Sequence, residues 1–387
     1  MDVVLIMMLH HLETTRYSTP RKYRRRYNKS NGLTEFERDL QTGEGAWLTE
    51  EEFLQKYRMT RENLENLSEL VKNHPTFQNT SGNKQAPPKY QIMLLLRYLG
   101  TEGSGTSNPN LRHTFRTGRG TCSLYRSRAV VAISSLRQQY IYWPDEEERK
   151  LIAGRIFDAV GIPNCVAIAD GSLFPLARRP EREDAPDYSG RKFAYSLSTM
   201  ILCDDMRRIR YYLSGWPGTA HDNRIFQSTK LARRPEDFFD STQFVLGDSA
   251  FANFWYMVSA FKKAQGQVLC DDHEKFNTIV ARCRIWSEHT IGILKGRFPW
   301  LRSIQNKITE DPHSIGVILK YIEVCVILHN MLVEESIPGE WWADMEDFDP
   351  VEICDDELNT PLRTGAANDE RRQQLLRYVL DGITTNA

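Results

Sequence analysis

Apolar positions along the chain follow two different periods, and the change falls near Gly161. From Thr49 onward they recur every three or four residues. Thr49 is placed to cap a helix whose third position is Glu52, the spacing of a capping box, and Phe53 and Tyr57 follow at i and i+4. Thr60 restarts the pattern, with Leu64, Leu67 and Leu70 forming a stripe that reaches Val71. A Gly- and Pro-containing break from Asn79 to Pro88 precedes the densely apolar Gln91 to Leu99, and Thr121 to Ile141 reads as a further long helix. Beyond Gly161 the apolar runs shorten to strand length: Cys165 to Ala169, Ala194 to Cys203, Ile209 to Leu213, Phe244 to Leu246 and, more weakly, Val268 to Cys270. Helices are expected around Asn223 to Leu231, over Ala252 to Lys263, over Lys275 to Arg297 and around Leu319 to Val333. The pattern predicts a disordered basic arm over 1–33, a small all-helical domain over 34–160, an α/β domain over 161–335 and an acidic tail with a short terminal helix over 336–387.

Composition adds less than the distribution of charge does. The chain has 387 residues, 41% of them apolar, with 50 Lys plus Arg against 51 Asp plus Glu. That is an ordinary globular composition, which excludes a wholly disordered or fibrous chain. No apolar run approaches the ~20 residues of a membrane span, and Val3 to Leu9 lacks the basic flank and cleavage site of a signal peptide, so neither is expected. Seven Cys, at 122, 165, 203, 270, 283, 325 and 354, are odd in number and scattered, mostly within apolar runs, as buried thiols in a reducing compartment are. The near-zero net charge conceals segregation. Arg21, Lys22, Arg24, Arg25, Arg26 and Lys29 form a run without an acid, Lys89 to Gln139 holds eight bases against Glu102 alone, and Glu340 to Glu357 holds nine acids and no base. A basic N-terminal half suits a polyanion, with the acidic tail keeping the chain soluble or masking the basic face. The run at Arg24, Arg25 and Arg26 reads either as a solvated terminus or as a nuclear import signal or DNA-contacting arm. The short basic helices read either as a helix-turn-helix DNA reader or as a solvated bundle.

Candidate chemistry lies in the α/β half. Asp170 ends the run Val166-Ala167-Ile168-Ala169, and Asp248 follows Phe244-Val245-Leu246-Gly247, so two acids are expected at the tips of separate buried strands. Glu288 lies on the long helix near the face expected to meet the sheet. Converging carboxylates without matching bases repel one another, and a hard divalent cation with oxygen ligands relieves that repulsion. Two such ions about 4 Å apart suit phosphodiester displacement. By spacing alone the acids read as readily as turn caps. Cys270, His273, Cys283 and His289 have zinc-ligand types, but Cys283 and His289 point about 120° apart on one helix. His329, within Val326-Ile327-Leu328-His329-Asn330, reads as a core histidine.

The string from Arg284 to Leu301, RIWSEHTIGILKGRFPWL, resembles the signature of the PIF/Harbinger transposases and the Harbinger transposase-derived nucleases of the DDE endonuclease superfamily: an Arg, the catalytic Glu four residues on, then Gly, Lys, Arg-Phe and Leu. Further motifs match in order. Ala169-Asp170-Gly171 resembles the first-Asp motif, Tyr188 with Arg191-Lys192 the Tyr plus Arg-Lys element, and Leu202-Cys203-Asp204 the following strand. Gly218-Thr219-Ala220-His221-Asp222 resembles the Gly-Ser-x-His-Asp motif, Leu246 to Phe251 the second-Asp motif, and Leu328-His329-Asn330 the closing motif. Departures are Phe251 where Tyr is common, Phe261-Lys262-Lys263-Ala264 where a Pro-containing stretch is usual, and an acidic tail with Trp341-Trp342 that matches no motif.

The resemblance, spanning about residues 45 to 335, implies an RNase H-like core with Asp170, Asp248 and Glu288 as the metal-binding catalytic triad and Asp222 as an accessory acid. Asp222 also stands where a helix cap belongs. Arg191, Lys192, Lys295 and Arg297 read either as DNA phosphate contacts or as solvated charges. The resemblance further implies Mg²⁺ or Mn²⁺, a pair of ions, as cofactor, double-stranded DNA at transposon ends and target as substrate, strand transfer through the 3'-hydroxyl, a Myb-like DNA-binding partner and a nuclear location. A homo-oligomer is compatible with it, and a membrane partner is not expected. The rival reading is a domesticated DNA- or chromatin-binding scaffold that no longer cuts.

Overall fold

A computed structural model describes residues 34–78, 85–190, 195–262, 268–343 and 366–384. The described chain forms two compact units. The first comprises 34–140, 174–196 and 294–337, and the second 141–173, 197–293 and the C-terminal segment from Pro338. These units do not follow a boundary at residue 160.

In the first unit, helices α1 (Glu35–Asp39), α2 (Glu50–Tyr57), α3 (Arg61–Val71), α4 (Pro88–Leu99), α5 (Asn108–Phe115), α6 (Arg119–Ser134) and α7 (Arg137–Tyr140) succeed one another. The helix expected over Thr121 to Ile141 is thus two helices. The starts are set by side chains, as the spacing indicated. Glu52 N–H donates to Thr49 Oγ1 at 3.1 Å and Thr49 N–H to Glu52 Oε2 at 2.9 Å, a cap of about 1 kcal/mol. Tyr98 of α4 packs its ring against Trp300 and Tyr321, at centroid separations of 6.1 and 5.2 Å, and its hydroxyl accepts the Trp300 indole N–H at 3.0 Å. The Arg126 guanidinium lies over the same ring, 4.2 Å from its centroid. The unit also holds α12 (Pro312–Met331), long and apolar enough by composition to cross a membrane, whose residues Ile318 and Ile322 to His329 are buried in the fold.

The second unit is built on a mixed five-stranded sheet in the order β3-β2-β1-β4-β5, with β1 Cys165–Pro175, β2 Ser196–Cys203, β3 Ile209–Pro217, β4 Phe244–Gly247 and β5 Met257–Ser259. β4 runs parallel to both β1 and β5, while β2 and β3 are antiparallel. A mixed sheet flanked by helices, with a helical N-terminal region before it, is the architecture of an RNase H-like DDE core, as the resemblance implied. Helix α8 (Glu146–Val160), expected with the N-terminal domain, instead buries Ile152 and Ile156 against Cys165, Ile168 and Leu246 on one sheet face. The opposite face buries Val166, Val245, Phe226 and Met257, covered by α9 (Asp222–Gln227) and α10 (Lys230–Arg233).

Three expectations in this unit are corrected. Residues 252–262 contain no helix: Met257 and Val258 face opposite cores, the period-2 signature of a strand, and β5 pairs with β4. Val268 to Cys270 is not a strand, and Val268 and Cys270 are exposed. The chain's end carries a 19-residue helix, α14 (Ala366–Thr384), which follows α13 (Glu340–Ala343). α14 is no mere appendage to an acidic tail. Leu375, Leu376 and Val379 join the core against Phe261 and Phe276, and the Arg371 guanidinium donates to the carbonyls of Ser241 and Thr242.

Candidate active site

Strand pairing brings the two aspartates level. Ile168 of β1 pairs with Leu246 of β4, and Asp170 and Asp248 each lie two residues further along these parallel neighbours. Adjacent strands are about 4.8 Å apart, so the carboxylates emerge from neighbouring backbones at one height. The expectation of Asp170 at a strand tip is corrected: it lies within β1, which runs on to Pro175. Its Oδ1 accepts the Gly171 N–H at 2.9 Å. Asp248 stands just past β4, where its Oδ1 accepts the Ala250 N–H at 2.9 Å in a turn that directs the chain away from the sheet.

Asp222 arrives from a third element. It opens α9, but His221 is the N-cap residue and no side chain caps the helix, so the capping reading of Asp222 fails. Its carboxylate lies directly against Gly171, where any Cβ would overlap it. Only glycine at 171 permits that approach. Asn223 Oδ1, accepting the Ala252 N–H at 3.1 Å, ties the same helix to the loop after Asp248.

The fourth acid comes from α11 (Asp271–Arg297). This helix turns Phe276, Val280, Cys283 and Ser287 inward. Ser287 Oγ, 2.8 Å from the Arg284 carbonyl, also reaches Asp170 Oδ2 at 3.3 Å. One position further, Glu288 lies at the rim of that face and is 53% exposed. Arg284 joins the two acids: its Nη2 is 3.8 Å from Asp170 Oδ2 and 3.4 Å from Glu288 Oε1.

The electrostatics follow from this crowding. Burial pushes the Asp170 carboxyl up to about 6, with Arg284 opposing the rise and Asp248 and Glu288 adding to it. Asp222 is pushed up to about 7, by burial first and then by Asp170 and Asp248. Two of the four acids are thus held well above the ordinary carboxylate range by desolvation and mutual repulsion. Oxygen donors that repel one another suit a hard divalent cation. The set therefore fits a metal in its chemistry, with Asp170, Asp222, Asp248 and Glu288 as the residues that would hold it. Among the described residues, however, no three His, Cys, Asp or Glu side chains already close on one point, and between Asp170 and Glu288 stands the Arg284 guanidinium.

Other residues singled out by sequence go elsewhere. Arg297 is 1% exposed, paired with Glu335 at 3.0 Å and donating to the Arg58 carbonyl at 2.9 Å. Lys295 is buried too, its Nζ 5.6 Å from the Phe174 ring centroid. A DNA phosphate contact requires an exposed cation, so the phosphate reading of both is corrected, as is that of solvated charges. Arg191, Lys192, Arg24, Arg25 and Arg26 lie outside the described residues. The zinc-like set is not assembled, with Cys270 exposed and Cys283 buried in the core. His329 is a buried core residue as expected. The sequence pattern assigned no role to Gly171 or Ser287. The signals for them were the glycine directly after a candidate acid and a hydroxyl directly before one. Asp204, in the motif after β2, acts structurally. Its carboxylate accepts the N–H groups of Met206 and Arg208 and the Arg210 Nε at 2.7 Å, closing the β2–β3 turn.

A five-stranded mixed sheet flanked by helices, with one acid on β1, one just past its parallel neighbour β4 and one on the following long helix, is consistent with an RNase H-like DDE core, and residues 169–330 match the family profile of the DDE superfamily endonucleases. Over that segment the chain is similar to the DDE superfamily endonucleases. Over 291 residues, 75% of this chain and 80% of theirs, the chain is 22% identical to the proteins named "Putative nuclease HARBI1" of Bos taurus and Mus musculus, and 21% identical to that of Homo sapiens. No solved structure matches the chain.

Proposed function

We propose that the chain is a divalent-metal-dependent DNA endonuclease of transposase descent, with Asp170, Asp248 and Glu288 as its catalytic metal-binding triad and Asp222 as an accessory acid. The observation that carries this reading is the level placement of Asp170 and Asp248 on parallel neighbours, with both of them raising the carboxyl of partly buried Asp222. Mg²⁺ or Mn²⁺ ions held there would supply the Lewis acidity that activates water or a 3'-hydroxyl and stabilises the leaving oxygen of a phosphodiester. The chain's own part is to fix the acids before the substrate arrives. Hydrogen bonds from Gly171 and Ala250 orient Asp170 and Asp248, and the helix bearing Glu288 is locked by its buried face. Double-stranded DNA is the proposed substrate, at transposon ends where strand transfer is retained. The helical unit, with no acid between Gly103 and Tyr140 and six arginines in that span, supplies a surface for the duplex backbone. Arg191 and Lys192 belong to the proposed phosphate contacts, Arg24, Arg25 and Arg26 to an import or DNA-contacting arm, and nuclear action with a Myb-like partner follows from the same reading.

Nicking of supercoiled plasmid by purified protein in Mn²⁺, beside Glu288→Gln, tests it. Nicking by wild type alone supports the reading. Equal nicking by both removes Glu288 from the mechanism. DNA binding without nicking by either favours the scaffold instead.

A further inference from the structure

Among the described residues, Arg284 is the cation that ion-pairs with two of the site's four acids, Asp170 and Glu288. A single nitrogen, Nη2, reaches Asp170 at 3.8 Å and Glu288 at 3.4 Å. Both separations exceed the about 2.7–2.9 Å of a closed charge-assisted hydrogen bond, so the guanidinium balances the two carboxylates without being locked to either. It is 31% exposed and stands beside half-exposed Glu288, so it can leave toward solvent while the core stays packed. The spacing is i, i+4 on one helix, which fixes the Arg284 and Glu288 backbones to each other and leaves only their side chains to rearrange.

We infer that Arg284 is the resident counter-ion of the site, holding Asp170 and Glu288 together until a divalent cation displaces its guanidinium from between them. Resting on the metal-dependent reading above, this makes metal entry an exchange of cations: binding must break both ion pairs, and Arg284 sets how much metal the site needs. Arg284 is thus a positioning residue that weakens metal affinity and supports the metal-free fold. A residue that served to orient Glu288 toward the metal would have the opposite effect on affinity.

The test is calorimetric titration of Mn²⁺ into full-length protein at pH 8, where proton competition is small, for wild type, Arg284→Gln, Arg284→Lys and Asp170→Asn, with metal-free melting temperatures measured alongside. The expected result is a crossing. Arg284→Gln melts lower than wild type in EDTA yet binds Mn²⁺ about tenfold more tightly, since a positive charge some 4 Å from the carboxylates has been removed. Arg284→Lys, which keeps the charge and loses the fork, stays close to wild type. Affinity unchanged or weakened in Arg284→Gln overturns the inference, and so does Arg284→Lys behaving like the Gln variant, because geometry rather than charge would then be at work. Mn²⁺ bound by wild type and equally by Asp170→Asn places the metal elsewhere, and absence of Mn²⁺ binding by wild type removes the metal-dependent reading itself.

Discussion

Replacing Asp170 by Asn should make the metal-free protein more stable, by an amount that depends on pH. The rise of the Asp170 carboxyl from 3.8 to about 6 corresponds to about 3 kcal/mol by which ionisation of that one group weakens the fold. The sign follows from the direction of the shift. A carboxyl raised in the folded state contributes its stability fully below the ordinary value near 4, and that contribution is lost as pH climbs through about 6. Asn keeps the shape of the protonated acid and never ionises. Asp170→Asn should therefore match wild type near pH 4 and exceed it at pH 8 by up to about 3 kcal/mol, a figure that already includes the opposing attraction to Arg284. At about 2–4 °C per kcal/mol for a domain of this size, thermal unfolding in EDTA at pH 4.5, 6 and 8 resolves the effect. Asp222, raised to about 7, adds a decline of its own at higher pH, and Asp170→Asn softens that decline by removing one of its causes. A variant less stable than wild type at pH 8, or one offset by the same amount at every pH, would refute the argument from desolvation and repulsion.

Gly171→Ala tests the close approach of Asp222: the added methyl must push that carboxylate off β1, which should cost about 1–3 kcal/mol and lower the pH at which the second decline in stability occurs. Unfolding curves between pH 5 and 8 read both, and a neutral substitution would mean that Asp222 does not lie there. Arg297→Ala should destabilise the first unit by about 3–5 kcal/mol, since it leaves Glu335 buried and uncompensated. At temperatures where it remains folded, its affinity for duplex DNA and the slope of that affinity against salt should equal wild type in a fluorescence anisotropy titration, and a shallower slope would restore Arg297 as a phosphate contact.

The placement of the candidate acids was legible because it follows rigid local rules. Asp170 and Asp248 each close a short, wholly apolar run, and such runs become the buried central strands of a mixed sheet, so their carboxylates were bound to share one end of it. Glu288 was legible through the four-residue step from Arg284 on one helix. What could not be read was which neighbouring charges the fold would spend on packing. Lys295 and Arg297 sit in the same motif as Glu288 and carry the charge of a phosphate binder, yet Arg297 satisfies the Arg58 carbonyl, left open at a helix end where the chain takes φ 64°. Tertiary partners decide such cases, and they are remote in sequence. β5 was missed because three residues are too few to show a period, and its strand character comes from pairing with β4. The docking of α14 was missed because the acidic stretch before it dominates the composition of the tail, although Leu375, Leu376 and Val379 carry a helical stripe of their own.

The same electrostatics bear on the choice between the proposed cutting enzyme and the scaffold. A sheet that served only to hold a surface in shape gains nothing from Asp170 and Asp222 side by side. Both are desolvated, both are raised toward neutrality, and Gly171 must forgo a side chain to admit the pair. Asn or a small apolar residue at either position would relieve the repulsion and leave the packing intact. An arrangement that lowers stability, demands glycine at one position and keeps an arginine balanced between two acids is explained by a ligand that reverses the charge balance when it binds. The proposed divalent cation would do so, and the scaffold reading contains no such ligand. Asp170→Asn therefore carries weight beyond stability: a more stable fold that also loses its response to Mn²⁺ is what a site maintained for metal chemistry yields, whereas a scaffold would yield the stability gain with no metal response to lose.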